Sequence, residues 1–160
     1  MIKEKLFFVS AMILILLFCM VSCSNLSSQE KEINYKEVSF VVADTYDAQT
    51  INRVMHYNDY EKLNAAFTEL SIDPTQFNWL DEEYLKSTTV ILVAFNAFKT
   101  ARYDMDKISY NKDTLTVYIS ETADNPTIAQ GATYYVLIEV DTSELSKVRI
   151  DDWEIVITKK

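Results

Sequence analysis

The side chains equipped for chemistry are few. His56 is the only histidine in the chain, so Ser/His/Asp or Cys/His nucleophilic catalysis would have to run through it. It sits in the polar stretch Met55-His56-Tyr57-Asn58-Asp59, where a surface or packing role is expected. Both cysteines, Cys19 and Cys23, lie close to the N-terminus. A zinc site wants several closely spaced Cys or His ligands, and one histidine cannot supply it. Asp104-Met105-Asp106 opens like a calcium loop, but Ile108 and Ser109 stand where a ligand and the turn glycine belong. Asp151, Asp152 and Glu154 form a second acidic group, expected to be solvated. Carboxylates abound, but glycosidase chemistry needs two of them at about 5 Å or about 6.5–9.5 Å, a separation set by the fold. With Gly131 as the single glycine, a glycine-rich phosphate loop and the dinucleotide fingerprint are excluded. No cofactor and no metal is expected.

Aromatic residues offer the other chemistry, recognition. Tyr134 and Tyr135 are neighbours on an expected strand and so point to opposite faces. Tyr, Trp and Arg are favoured at binding hot spots, which makes Arg102, Tyr103, Tyr135 and Trp153 the candidate partner-binding residues. Cross-strand packing of the same rings is the competing reading.

These residues belong to a chain with a distinctive start. Met1–Lys5 carries Lys3 and Lys5 against Glu4, and an apolar run from Leu6 to Val21 follows, broken only by Ser10. A basic start, an apolar stretch and a small residue at the cleavage point are the parts of a secretory signal. The run is short for a spanning helix, which needs about 20 apolar residues. It ends Met20-Val21-Ser22-Cys23, which resembles the lipobox of bacterial lipoproteins with methionine where leucine is commonest. Cys19 is a poorer match because bulky Phe18 precedes it. The resemblance implies cleavage before Cys23 and a diacylglycerol thioether on its sulfur. The expected organisation is a signal peptide over 1–22, a lipidated flexible tether over 23–36 and one globular domain over 37–160. Stretched out, the tether reaches about 40 Å. The expected location is the extracytoplasmic face of the cell membrane, held by lipid.

The full chain carries a net charge of −9. The first 22 residues hold a net +1 from Lys3, Lys5 and Glu4, leaving −10 on the rest. An acidic domain repels nucleic acid, so DNA and RNA are excluded as main partners. A domain of this length builds a core without metal or disulfide staples.

The elements that must position the candidates follow from periodicity. Val38–Ala43 is β-branched and apolar, a strand; Ile51–Met55 reads as a second short one. Asn58 with Glu61 three residues on has the form of a capping box. Tyr60, Leu63, Phe67 and Leu70 recur at helical spacing, which predicts a helix over 59–70. Asp73-Pro74 and Asp81–Leu85 predict short helical turns. Thr89–Phe95 is continuously apolar, the pattern of a strand covered on both faces. Tyr103–Tyr110 and Leu115–Ser120 flank Asn111-Lys112-Asp113 and predict a hairpin. Glu121–Gly131 reads as a loop, Ala132–Val140 and Trp153–Thr158 as strands. The class is α+β: mainly antiparallel sheet or partly closed sandwich, with one main helix packed on it.

The order from Asp81-Glu82-Glu83-Tyr84-Leu85 through Val90–Phe95, the hairpin and Tyr134–Asp141 resembles uncharacterised lipoproteins of Firmicutes. More distantly it resembles the C-terminal domain of PrcB, a protease-complex subunit, over residues 81–158. Where the PrcB pattern has Thr-Gly-Gly-Tyr, this chain has Thr100-Ala101-Arg102-Tyr103. The resemblance implies an all-β half and a partner-binding role. The expected function is therefore a membrane-anchored, non-enzymatic binding or accessory module with an envelope protein partner, its oligomeric state open. The alternatives are a carboxylate-dependent glycan or peptidoglycan hydrolase, and a protease inhibitor. The inhibitor reading requires an exposed Asn96–Tyr103 loop beside the Glu121–Gly131 loop at one end of the sheet.

Overall fold

A computed structural model describes residues 30–43, 52–98, 101–123 and 131–160. Lys31–Lys160 is one compact unit. The expected signal segment, Cys23 and the tether as far as residue 29 lie outside the described residues.

The strands are β1 (Lys31–Ile33), β2 (Tyr35–Ala43), β3 (Arg53–Tyr57), β4 (Thr88–Phe98), β5 (Ala101–Asn111), β6 (Thr114–Ala123), β7 (Gly131–Asp141) and β8 (Asp152–Lys159). They form two four-stranded sheets, ordered β1-β5-β6-β8 and β2-β7-β4-β3. All pairings are antiparallel except β6 with β8. That exception arises because the chain leaves the first sheet after β6, passes through β7 of the second, and returns as β8 beside the strand it left.

The expected tether is too long by several residues. Lys31–Ile33 pairs with Tyr110–Ile108 of β5, and Ile33 is buried in the core at 2% exposure. At Asn34 the chain crosses to the other sheet and begins β2. A polar stretch containing one isoleucine gives no periodic signal, so only the tertiary contact reveals this strand.

Two apolar clusters result. Between the sheets, Ile91, Val93 and Phe95 of β4 and Tyr134, Val136 and Ile138 of β7 meet Ile108, Leu115, Val117 and Ile119 of the facing sheet. On the other side of β4 and β7, Val90, Leu92, Ala94, Tyr135 and Leu137 pack on a helical layer. β4 is thus buried on both faces, as its unbroken apolar run requires. The layer comprises α1 (Tyr60–Glu69), a 3₁₀ turn (Pro74–Phe77) and α2 (Glu82–Leu85). A further short helix, α3 (Thr142–Leu145), links β7 to β8.

α1 starts one residue later than the capping box suggests. Asp59, not Asn58, is the N-cap, and its carboxylate accepts from Lys62 N at 3.0 Å. Leu63, Ala66 and Phe67 form its buried stripe, while Tyr60 stays at the rim with 43% exposure. Aspartate caps the other helical segments too: Asp73 over Thr75, Asp81 over Tyr84 and Asp141 over Ser143. Four aspartates are therefore committed to N–H groups at helix starts.

α1 ends in a Schellman motif. Ile72 N donates to Phe67 O at 2.8 Å and Ser71 N to Thr68 O at 3.3 Å. This demands a left-handed residue after the cap, and with no glycine there Ser71 adopts φ 55°. A left-handed non-glycine residue costs about 1–2 kcal/mol, partly offset for glycine by its unfolded-state entropy. Ser71→Gly is expected to stabilise the domain by about 0.5–1 kcal/mol, read as a higher urea midpoint at unchanged slope. An unchanged or lowered midpoint would show that the backbone at Ser71 carries no strain.

Candidate functional site

The four aromatic and arginine candidates do not converge. Arg102 and Tyr103 are consecutive on β5, so they face opposite sides. Arg102 is exposed, on the outer face of its sheet. Tyr103 is 7% exposed in the inter-sheet core, edge-on to Phe95 at 5.2 Å and 4.7 Å from the Tyr134 ring. Burial drives the Tyr103 phenol up to about 12, and its hydroxyl oxygen accepts from Phe98 N at 3.3 Å. Tyr134 and Tyr135 do point to opposite faces, but both are 5% exposed because β7 is covered on both sides. Trp153 is half-buried and stacks on His56, centroids 5.4 Å apart and planes 20° apart. Instead of a recognition patch, Tyr103 and Trp153 serve packing, and His56 closes β3 against β8 across the sandwich edge.

The calcium-like stretch lies in strand β5, not in a loop. Asp106 sits at a bulge between Met105 and Lys107 and bonds Lys160 Nζ at 2.9 Å. That bond holds its carboxyl below the usual carboxylate range. Asp151 pairs with Arg149 at 3.0 Å. Among the described residues, no group of three or more His, Cys, Asp or Glu gathers as a cation site.

Two sites emerge that sequence periodicity does not reveal. The first is a buried acid. Glu139 on β7 is 2% exposed. Its carboxylate accepts from Trp79 Nε1 at 3.0 Å and from the Tyr84 hydroxyl at 2.6 Å. Bonding to Glu139 raises the Tyr84 phenol above its ordinary value. Lys36 Nζ lies 5.7 Å over the Tyr84 ring and donates to Thr88 Oγ1 at 2.9 Å. The two donors come from the connection after the 3₁₀ turn and from α2, so this carboxylate ties the helical layer to the sheet. Its two hydrogen bonds give it the geometry of an anchor.

The second is a groove of about 620 Å³ between the end of β2 and the segment following α1, within the usual range for ligand sites. Val41, Ala43 and Tyr135 form its floor; Leu70 and Ile72 wall it; Glu69, Asp73 and Gln76 lie at its rim. Of the four candidates, only Tyr135 lines it. The Schellman turn brings Ser71 and Ile72 into the wall. Hydrogen bonds from Thr75 side chain and backbone hold Asp73 below the usual carboxylate range, so it is an anion at neutral pH and a poor proton donor. Among the described residues, no His, Cys or Lys lines the groove. The groove can bind an apolar group flanked by a cation.

The inhibitor reading expects an exposed Asn96–Tyr103 loop, but Asn96–Phe98 ends β4 and Ala101–Tyr103 begins β5, with Ala101 and Tyr103 buried. Phe98 of β4 pairs with Gly131 of β7, and Ala101 of β5 with Ala123 of β6. The Tyr134 hydroxyl donates to Phe98 O at 3.4 Å and reaches Ala101 O at 3.5 Å, fastening the crossing from β4 to β5. Residues 99–100 and 124–130 lie outside the described residues.

Among the described residues, no helix is long and apolar enough to cross a membrane. No protein-family model matches the chain, and neither a curated protein nor a solved structure matches it.

Proposed function

We propose that the protein is a lipid-anchored, extracytoplasmic binding module without catalytic activity, tethered through Cys23 and engaging an envelope partner through the groove over Tyr135. The observation that carries the binding reading is the composition of that groove: an apolar floor and an anionic rim. In this reading α1 is the main helix of an α+β fold, and its task is to wall the groove. The partner segment it suits pairs an apolar side chain with a nearby Lys or Arg.

The anchor and the groove are tested separately. Two or three acyl chains hold a protein firmly, whereas one holds only marginally. Cys23→Ala is expected to block maturation and to lose the detergent-dependent, lipid-labelled membrane form. A variant that matures normally and stays as firmly bound as the parent removes the anchor from the proposal. For the groove, a photo-crosslinking residue at Gln76 of the full chain is expected to capture a defined envelope protein. The same group at Thr114, on the hairpin, is not. Equal capture from both positions would dismiss the groove.

A second reading, a protease-complex subunit, is favoured by one observation. The strand ends around Phe98 and Gly131 lie at the same pole as those around Ala101 and Ala123, and Phe98 is 49% exposed there.

A further inference from the structure

The edges of the two sheets are not equally protected. Natural proteins blunt sheet edges with short strands, bulges, charges or covering elements. β1 has three residues and β3 five, and β3 is closed over by the His56–Trp153 stack. β8 carries Asp152, Glu154 and Lys159 along its length. β2 is different. It is nine residues long and forms the outer strand of its sheet. Its charges, Lys36 and Glu37, and its single bulge are confined to the N-terminal end. From Val38 to Ala43 the strand is regular and uncharged.

Its side chains alternate. Val41 and Ala43 pack toward the helical layer, while Val38 packs into the inter-sheet core. Phe40 and Val42 share the face of Val38, yet they are 37% and 42% exposed. The cause is the brevity of β1, which flanks β5 only at Ile108–Tyr110 and leaves the opposite sheet no further strand beside β5 among the described residues. Among the described residues, an apolar edge thus lies next to backbone groups that hydrogen-bond on one side only.

We infer that β2 is a dimerisation edge, where two copies of the chain pair antiparallel over Glu37–Ala43 and extend the sheet across a twofold axis. Directly opposite residues in an antiparallel pair point the same way, so the axis must pass through a residue. Centring it on Phe40 uses all of the regular segment and leaves the bulge and Lys36 outside. Phe40 then meets its own symmetry mate, and Val38 meets Val42 of the other copy. Glu37 faces Ala43, so no like charges are opposed. Aromatic pairs and apolar β-branched pairs are among the favourable cross-strand neighbours. The interface is isologous and self-limiting, as closed twofold assemblies are. A second copy fits better than an unrelated strand because the sequence about Phe40 is complementary to itself. The pairing does not depend on how the chain is held to a membrane.

The test uses the full chain in detergent micelles and in its membrane. Sedimentation with the detergent mass subtracted is expected to give a dimer; a monomer at all concentrations overturns the inference. The register is read by mild oxidation of single-cysteine additions, with the parent chain as control for its own cysteines. Phe40→Cys is expected to give a covalent dimer, because a direct cross-strand pair satisfies disulfide geometry. Val42→Cys alone is expected not to, since its mate lies about 14 Å along the strand. Val38→Cys combined with Val42→Cys restores the cross-link. Phe40→Cys cross-linking no better than Phe98→Cys also overturns the inference. Phe40→Lys should weaken the dimer at least about tenfold, with its melting followed in parallel. Should that variant not fold, the cysteine scan decides alone.

Discussion

Phe95→Ala is expected to destabilise the domain by about 3–5 kcal/mol. Phe95 is fully buried in the inter-sheet core. It is stacked on Tyr134 at 5.6 Å and meets Tyr103 edge-on at 5.2 Å. Removing the ring leaves a cavity that these neighbours cannot fill, because their hydroxyls are pinned at the β4–β5 crossing. Against a typical total of about 5–15 kcal/mol, the loss is large, and it should lower Tm by roughly 10–20 °C. The control is Phe98→Ala, three residues along the same strand and 49% exposed, expected to cost under about 1 kcal/mol. Urea unfolding with a common slope decides it. Comparable losses from the two variants would mean that the three-ring cluster is not the keystone of the sandwich.

The second large effect concerns the buried acid, and its size depends on which partner is removed. Replacing Trp79 and Tyr84 together by phenylalanine leaves Glu139 at 2% exposure without the two donors that satisfy it. A hydrogen bond to a charged group is worth about 1.5–3 kcal/mol, and a stranded buried charge costs more. The double variant should therefore lose about 3–5 kcal/mol. Glu139→Leu removes the charge itself, and its former donors are not trapped: Trp79 is 39% exposed and Tyr84 is half-buried. Both can turn to water, so the leucine variant should be the more stable of the two. Denaturation of both variants at neutral pH checks the ordering. If Glu139→Leu proves the worse, the carboxylate contributes net stability as a bonded centre, and desolvation is not what governs the site.

The sequence alone determined the elements whose physics is local. A continuous apolar run predicted that β4 is covered on both faces. The alternation of Leu115, Val117 and Ile119 predicted a buried face for β6, and all three are buried, although Thr116 and Ser120 on the other face are buried too. Asn111-Lys112-Asp113 marked the β5–β6 turn, where Lys112 takes φ 59°. The helix over 60–69 lay within one residue of its expected bounds.

Tertiary structure decided everything that depends on what lies opposite a side chain. Periodicity tells which residues share a face, not which element covers that face. It marked Tyr103, Tyr135 and Trp153 as aromatic candidates but gave no sign that a second sheet and a helical layer would cover two of them. It gave no sign that His56 would meet Trp153 across the sandwich edge, or that a glutamate within an apolar strand would bind Trp79 and Tyr84, some 60 and 55 residues away. The isolated Ile33 became a strand because Ile108 stood beside it, and β8 became parallel because the chain returned from another sheet. The groove over Tyr135 arises where a strand end meets a helix end, a long-range juxtaposition, whereas the strands and turns that build it obey rules reaching only a few residues.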